Sequence, residues 1–440
     1  MKKTVLVLLV CVFIFSLAIT ASAKTNVSFW TYPSINYEGL GIALGEYEKN
    51  IIEQFEKEYP EVNIELEIIP YDSGTEKLNL NIASGTPPDI ISDAILRVGA
   101  YANAGLLVPF DLTEEEKNDF FPFAIEMSSF SGKMYYYPIG VGAGGVLVSK
   151  KIARDTGALD LLPLDKPDRT WTADEYKAFL QKIASAKLPG VYGMGMWFGD
   201  SQCQQNFVML MLQGFGAEPY TLEDGKWKCT LNSPEAVEGL EYYLDIYNNS
   251  PGCFPEGVEN LLYTDNNNLM FNHQLAIEIG GFYRILDGLK GDKQFAELEL
   301  SIFPYPSKEG IPNGTFLGSG GFGVFDNHDA EKAKYAQLFV RYFCDNAPDI
   351  LTAVYNLSPV KKSTPKPFQE FKDNPEVQYY LDVLPKFNKE IGQTTPFFGQ
   401  YKKIFSSVMQ GVFTGQLTAK EGLDEVASKV NKLLDEFYAK

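Results

Sequence analysis

The stretch from Tyr37 to Ile68, "YEGLGIALGEYEKNIIEQFEKEYPEVNIELEI", constrains this chain more than any other. Ile51, Ile52, Phe55 and Tyr59 recur at helical spacing, which predicts a helix over 37–59 that Pro60 stops. Directly after it, Val62, Ile64, Leu66 and Ile68 alternate with polar residues, the period of a half-buried strand. Ahead of it, Val27-Ser28 lead into Phe29-Trp30-Thr31-Tyr32-Pro33-Ser34, a short strand-like segment. Strand, helix, strand is a βαβ unit, and so the chain is expected to build an α/β fold on a parallel sheet.

Later helices declare their own starts. Thr172-Ala-Asp-Glu175 is a capping box with Trp171 just ahead of it, followed by Phe179, Leu180 and Ile183. Ser233-Pro234-Glu235 supplies an N-cap and a first-turn proline before Val237, Leu240, Leu244 and Tyr247. Thr418-Ala-Lys-Glu421 repeats the capping box, and Leu423, Val426, Val430, Leu434 and Phe437 then form one apolar stripe suited to core packing.

Residues 1–23 stand apart from the fold. Lys2 and Lys3, the apolar run from Val5 to Phe15, and Ala21-Ser22-Ala23 have the order of a secretory signal peptide. Cys11 lies in mid-segment after Val10, not behind a small residue at its end, so a lipid anchor is not expected. The mature chain is expected to be exported, to a periplasm or a cell surface. Removing 23 residues from 440 leaves 417, and removing two lysines takes the formal charge from −19 to −21. A chain of that length folds as two or more domains. Its acidity argues against a nucleic-acid partner, because phosphate binding needs clustered Lys and Arg.

Cys203, Cys229, Cys253 and Cys344 show no CxxC spacing, so neither a zinc site nor a thioredoxin-like motif is expected. Cys344 follows Phe339, Val340 and Phe343 and reads as core packing. Two histidines, His273 and His328, leave little room for a histidine-based triad or metal site. The "TDNNN" stretch at 264–268, counted from Asp265, lacks an EF-hand's sixth-position glycine and twelfth-position glutamate, since Met270 and Ala276 stand there; a helix cap is the better account. No metal and no cofactor are expected.

Glycine clusters sit between apolar residues at 138–148, 279–284 and 317–325. Two contain GxGxxG (Gly140, Gly142, Gly145 and Gly318, Gly320, Gly323), yet neither leads into a helical pattern, so a nucleotide loop is poorly supported. Bulged strands and backbones that cross between lobes or approach a ligand remain open.

Five segments in order carry a family resemblance: "FWTYPS", "LNLNIASGTPPDII" (78–91), "VGAYANAGLLVPF" (98–110), "SGKMYYYPIGV" (131–141) and "FNHQLAIEIGGFYR" (271–284). With the closing "GVFTGQLTAKEGLDEVASKVNKLLDE", they resemble the extracellular solute-binding proteins of bacterial ABC importers, in the sugar-binding group that includes the maltose-binding protein. The resemblance implies a two-lobed periplasmic-binding-protein-like fold with an interlobe cleft and three crossings, near Gly140–Gly142, Phe303–Tyr305 and Phe325–Asp329. The N-terminal lobe would hold 24–140 plus 305–326, and the C-terminal lobe 141–304 plus 327–440. The implied function is non-enzymatic: a monomeric receptor captures a carbohydrate, an oligosaccharide, and delivers it to a membrane permease with an ATPase partner. Two other readings stay open, a receptor for a cation such as a polyamine and a secreted glycosidase.

A sugar needs aromatic plates for its C–H faces and polar groups for its hydroxyl edge. By family position, Trp30 and Tyr32 end the first strand at the cleft, and Tyr283 stands where the family has its main stacking tryptophan. Asp93 falls where the family places polar contacts and equally reads as a helix N-cap. Leu96 replaces a family carboxylate. Arg97 and Glu76 are further candidates. Of the adjacent Tyr136 and Tyr137, at most one can reach the cleft, and Tyr137 is the one expected. Trp197 and Phe198 resemble cleft-lining aromatics, with a core role equally open. Gly318 and Ser319 look like a backbone shelf, and Phe398 stands for a late segment, with Phe397 and Tyr401, that supplies one aromatic.

Overall fold

The structure is a computed structural model, described over residues 24–439 apart from 36, 71–72, 131, 200–204, 224–225, 281, 348, 350, 352–356, 390–394 and 396–397. The expected signal peptide therefore lies outside the described residues. Among the described residues, no helix is long and apolar enough to cross a membrane.

The opening unit forms as β1 (Thr25–Thr31), α1 (Glu46–Glu58) and β2 (Val62–Ile68), with β1 and β2 parallel in register from Thr25↔Val62 to Thr31↔Ile68. The helix is shorter than its apolar spacing predicts. Gly41 and Gly45 adopt left-handed backbone, at φ 67° and 78°, and break the run before Glu46. After α2 (Gly74–Ala83), β3 (Ile90–Ala94) adds in parallel on the other side of β1. The Asp89 carboxylate ties this edge together: it accepts from Ser28 N and Oγ at 2.8 and 2.9 Å and from Asn327 Nδ2 at 2.7 Å.

Beyond α3 (Ile95–Asn103) comes β4 (Tyr137–Ser149), which then serves both halves of the molecule. In chain order there follow α4 (Ala173–Ser185), β5 (Tyr192–Met194), α5 (Pro234–Asn249), α6 (Tyr263–Phe271), β6 (Leu275–Gly280), α7 (Tyr283–Leu289), β7 (Leu300–Phe303), β8 (Gly314–Val324) and α8 (Ala330–Asn346). The last two helices are α9 (Phe398–Phe413) and α10 (Ala419–Tyr438). The hydrogen-bonded strand order is β2-β1-β3-β8-β4-β6-β5. β2, β1 and β3 are parallel as expected, and β6 pairs β5 in parallel, but β8 is antiparallel to both β3 and β4, and β6 is antiparallel to β4, so the sheet is mixed.

Both capping boxes form: Thr172 Oγ1 accepts from Glu175 N at 3.1 Å while Glu175 returns a bond to Thr172 N at 2.8 Å, and Thr418 with Glu421 repeats this. Ser233 caps α5 through Ala236 N, with Pro234 behind it. The α10 stripe buries Leu423, Val426, Val430 and Leu434. Asp265 caps α6 by accepting from Leu262 N at 2.9 Å. Both GxGxxG segments lie inside strands. Register shifts in the β8–β4 ladder fall between Phe316 and Ser319 and between Gly320 and Gly321, so the glycines serve an irregular ladder and not a phosphate loop.

Two hydrophobic cores result. The first gathers Val27, Phe29, Phe55, Ile90, Val141, Phe322 and Val324. The second gathers Val146, Trp171, Phe179, Met194, Ile277, Ile302, Tyr305, Tyr401 and the α10 stripe. β4 changes core between Val141 and Val146, and glycine makes this packing possible: a Cβ on Gly145 would lie 2.3 Å from the Phe303 carbonyl oxygen, and one on Gly140 would lie 2.6 Å from a Leu351 methyl.

The cores correct the expected lobe boundaries. Residues 327–440 were expected in the C-terminal lobe, yet Phe339 on α8 packs edge-on against Phe29 and Phe55, at 5.5 and 5.2 Å, and Val340, Phe343 and Val360 join the same first core. The exchange comes later, between Val360 in the first core and Phe368 in the second. Tyr305, expected in the N-terminal lobe, is buried in the second core, and the chain reaches the first along β8. Cys229, Cys253 and Cys344 are free, with Cys344 packed against the first core; Cys203 lies outside the described residues.

An enclosed ion pair borders the second core. Arg169 donates through Nη1 and Nη2 to Glu376 at 2.6 and 3.1 Å, and Glu376 also accepts from Ser301 Oγ and Ile302 N. Glu376→Ala leaves Arg169 buried and unpaired, which should cost about 3–5 kcal/mol and lower the thermal unfolding midpoint. Gly145→Ala should also lower it, by about 1–3 kcal/mol of overpacking, whereas Gly415→Ala, at a position open on all sides, carries only the strain of a left-handed alanine. Equal losses for the two glycine variants would contradict the close approach at Phe303.

Candidate functional site

In open α/β sheets, ligands bind beyond the carboxyl ends of the strands, and both halves place aromatic and charged side chains there. In the first half, Trp30 and Tyr32 lie at the end of β1. Both point toward the first turn of α2: Lys77 Nζ sits 4.6 Å over the Trp30 ring, and Tyr32 Oη hydrogen-bonds Thr75 Oγ1 at 2.9 Å. Trp30 is 9% exposed and Tyr32 2%, so Tyr32 is largely covered. Part of the cover is Arg97, whose guanidinium lies 4.9 Å over the Tyr32 ring.

Asp93, at the end of β3, pairs with Arg97 one turn along α3. Arg97 Nε donates to Asp93 Oδ2 at 2.5 Å and Nη2 donates to Oδ1. Asp93 is not the N-cap of α3, which is Ala94; its Oδ1 accepts from the Ala94 N–H at 2.6 Å. Burial pushes the Asp93 carboxyl up, against the pull of Arg97. Tyr101, one turn further along α3, lies within the field of the same carboxylate, and burial raises its hydroxyl too. Glu76 is exposed in the first turn of α2. Thr75, Lys77 and Tyr101 were not among the sequence candidates. Thr75 and Lys77 flank the candidate Glu76, and it is these two, at the first turn of α2, that meet Tyr32 and Trp30.

In the second half, Trp197 follows β5 and packs against Tyr263 at the start of α6, ring centroids 5.5 Å apart. Tyr263 lies in turn within the field of Tyr283, which opens α7 after β6. Trp197 is 5% exposed, while Tyr263 and Tyr283 are 42% and 38% exposed, unusual values for aromatic rings beside a core. Beneath them lies a buried ion pair: Arg284 Nη2 is 2.9 Å from Glu278 Oε1 and donates to Asn267 Oδ1 at 3.0 Å. Sequence reasoning missed Tyr263 and this pair. Glu278 alternates with Ile277 and Ile279 as an outward residue of a half-buried strand would, and only packing shows it enclosed.

Three candidates are corrected. Tyr137 is fully buried in the first core between Phe110 and Phe120, at 5.2 and 5.5 Å, with Lys361 Nζ 5.1 Å over its ring. Phe198 is fully buried and stacked on Phe413 at 4.8 Å. Tyr401, an alternative to Phe398, is buried against Phe405. Gly318 and Ser319 lie in β8, where Ser319 pairs with Val141 of β4. The side chain of Phe398, the first residue of α9, and all of Phe397 lie outside the described residues.

Residues 41–348 match the family model for bacterial extracellular solute-binding proteins. The chain belongs to that family. This solute-binding protein is 22% identical over 393 residues to a binding protein of Brucella abortus, covering 89% of this chain and 90% of the relative. It is 23% identical over 260 residues to a maltotriose-binding protein of Pyrococcus abyssi, covering 59% and 50% of the two chains. Its fold is that of the cyclic α-maltosyl-1,6-maltose binding protein of Arthrobacter globiformis, with a TM-score of 0.73 at 21% identity, covering 94% of this chain and all of that one.

Glu278 provides a pH test of the second cluster. Burial pushes its carboxyl from 4.5 up to about 7, with Arg284 opposing. The folded protein therefore holds this proton more tightly than the unfolded chain does. The contribution of Glu278 to stability is greatest below the unfolded value and is lost as pH rises to about 7. Glu278→Gln cannot titrate. The unfolding midpoint of the unaltered protein, measured relative to this variant, should fall from about pH 4.5 to 7 and then level off; a difference independent of pH would contradict the assignment.

Proposed function

We propose that this protein is the carbohydrate receptor of an ABC importer, and that it binds an oligosaccharide between the strand-end clusters of its two halves. The observation that carries this reading is the grouping of aromatic rings with charged or hydroxyl-bearing side chains at the carboxyl ends of strands in both halves: Trp30, Lys77, Thr75, Arg97 and Asp93 in one, and Trp197 with the exposed Tyr263 and Tyr283 in the other. Aromatic rings match the apolar faces of a sugar and the polar groups match its hydroxyls. Family membership and the maltotriose-binding relative support a sugar over other solutes.

The two halves close on the ligand by rotation about the strands they share, β4 and β8, and the closed form is the one a membrane permease with its ATPase partner receives. Both carboxylates beside the rings are engaged by arginines, Asp93 by Arg97 and Glu278 by Arg284, which supports binding without chemistry on the ligand. The receptor acts as a monomer outside the cytoplasmic membrane.

Thermal shift and titration calorimetry against maltotriose, longer α-glucan oligosaccharides and arabinotriose test the reading. At least one should raise the unfolding midpoint. Trp30→Ala and Tyr283→Ala should each weaken its binding roughly tenfold or more, while Tyr137→Phe leaves affinity unchanged. If no oligosaccharide stabilises the protein and spermidine does, with affinity that falls steeply as salt is raised, the ligand is a polyamine and the sugar reading is wrong.

A further inference from the structure

The exposed ring of Tyr283 stands on a buried charge. Arg284 is 2% exposed, and its guanidinium lies among aromatic rings, 5.2 Å from the centroid of Phe271 and 5.7 Å from that of Phe295. Its donors spread to three different elements. Nη2 reaches Glu278 on β6 at 2.9 Å and Asn267 on α6 at 3.0 Å, and Nε donates to the hydroxyl of Tyr283 at 3.2 Å.

Neighbouring residues on a helix project about 100° apart, so helix geometry does not bring the Tyr283 hydroxyl to Arg284. The ring leans back over its neighbour, with the guanidinium carbon 5.6 Å from the ring centroid. Stability does not explain the arrangement. Buried ion pairs can often be exchanged for apolar residues without loss, and here Arg284 Nη1 and Glu278 Oε2 have no hydrogen-bond partner among the described residues. What the pair does supply is a fixed donor for the hydroxyl of a half-exposed ring.

We infer that Arg284 is a positioning residue: anchored by Glu278 and Asn267, it holds the Tyr283 ring at one set angle against which a sugar face stacks. The inference rests on the proposal that Tyr283 is a sugar platform. A guanidinium can serve all three partners at once because its donors diverge in a rigid planar fork, whereas a lysine ammonium is a compact point charge that cannot. A free tyrosine ring loses rotamer freedom when a ligand orders it, and a ring ordered in advance avoids that loss, which is worth roughly three- to tenfold in affinity.

The test has one arm without ligand and one with it. In protein labelled throughout with fluorotyrosine, the Tyr283 signal in the fluorine NMR spectrum is the one that Tyr283→Phe removes. Arg284→Lys, a variant that keeps the buried charge, should shift this signal while the unfolding transition stays cooperative. A Tyr283 signal unmoved in folded Arg284→Lys overturns the inference. In the second arm, calorimetric titration with maltotriose compares Tyr283→Phe, Arg284→Lys and the double variant. A bracket acting through the hydroxyl makes each single variant roughly three- to tenfold weaker and the double no weaker than either; losses that multiply overturn it. If the unaltered protein binds no oligosaccharide, the sugar reading fails, and the spectrum of the ligand-free protein still decides whether Arg284 orients the ring.

Discussion

A thirteen-residue strand that serves two separate cores has to exchange one set of neighbours for another partway along, and β4 does this through glycine. At Gly140 the backbone lies against Leu351, Leu357 and the Ser358 carbonyl, and at Gly145 against the Phe303 carbonyl. Any side chain there would push away the segments that close each core. The antiparallel partner β8 makes the same passage with two register shifts. The rest of the molecule depends on this ladder, because each half completes its own core and the two are joined through shared strands.

The two candidate half-sites apply the same physics with different geometry. Each sets aromatic rings beside an arginine–carboxylate pair whose carboxylate is buried. In the first half the pair is one helical turn apart, Asp93 to Arg97, and the guanidinium covers Tyr32 from the outside. In the second half the pair joins a strand to a helix, Glu278 to Arg284, and the guanidinium lies beneath Tyr283 and leaves the ring exposed. One arginine is therefore placed to present charge, and the other to support a ring. Only the second pair is enclosed on both sides; low dielectric strengthens it electrostatically and makes either of its partners costly to remove alone.

Much of the fold was legible where the information is local. Capping boxes at Thr172 and Thr418, the proline start of α5 and the alternation of β2 all formed, because each depends on residues within a few positions of one another. The failures share a cause. The apolar stripe of α8 shows that one face is buried but not which core receives it, so 330–346 was assigned to the wrong half. Tyr137 and Phe198 sit in aromatic runs that suit a cleft or an interior equally well. Only Phe110 and Phe120 in one case, and Phe413 in the other, decide between them. Glu278 and Tyr263 drew no attention in the sequence, since neither carries a mark of what packs on it from a distance along the chain.

The sequence by itself determined that this is an α/β chain of the solute-binding family, with Trp30, Asp93 and Tyr283 at strand ends, because periodicity, caps and ordered motifs are properties of neighbours along the chain. The tertiary structure alone decided which aromatics are core and which are exposed, where the chain passes from one half to the other, and that Arg284 lies under Tyr283. Those outcomes depend on contacts between residues tens to hundreds of positions apart, where burial and electrostatics are settled by packing and not by pattern.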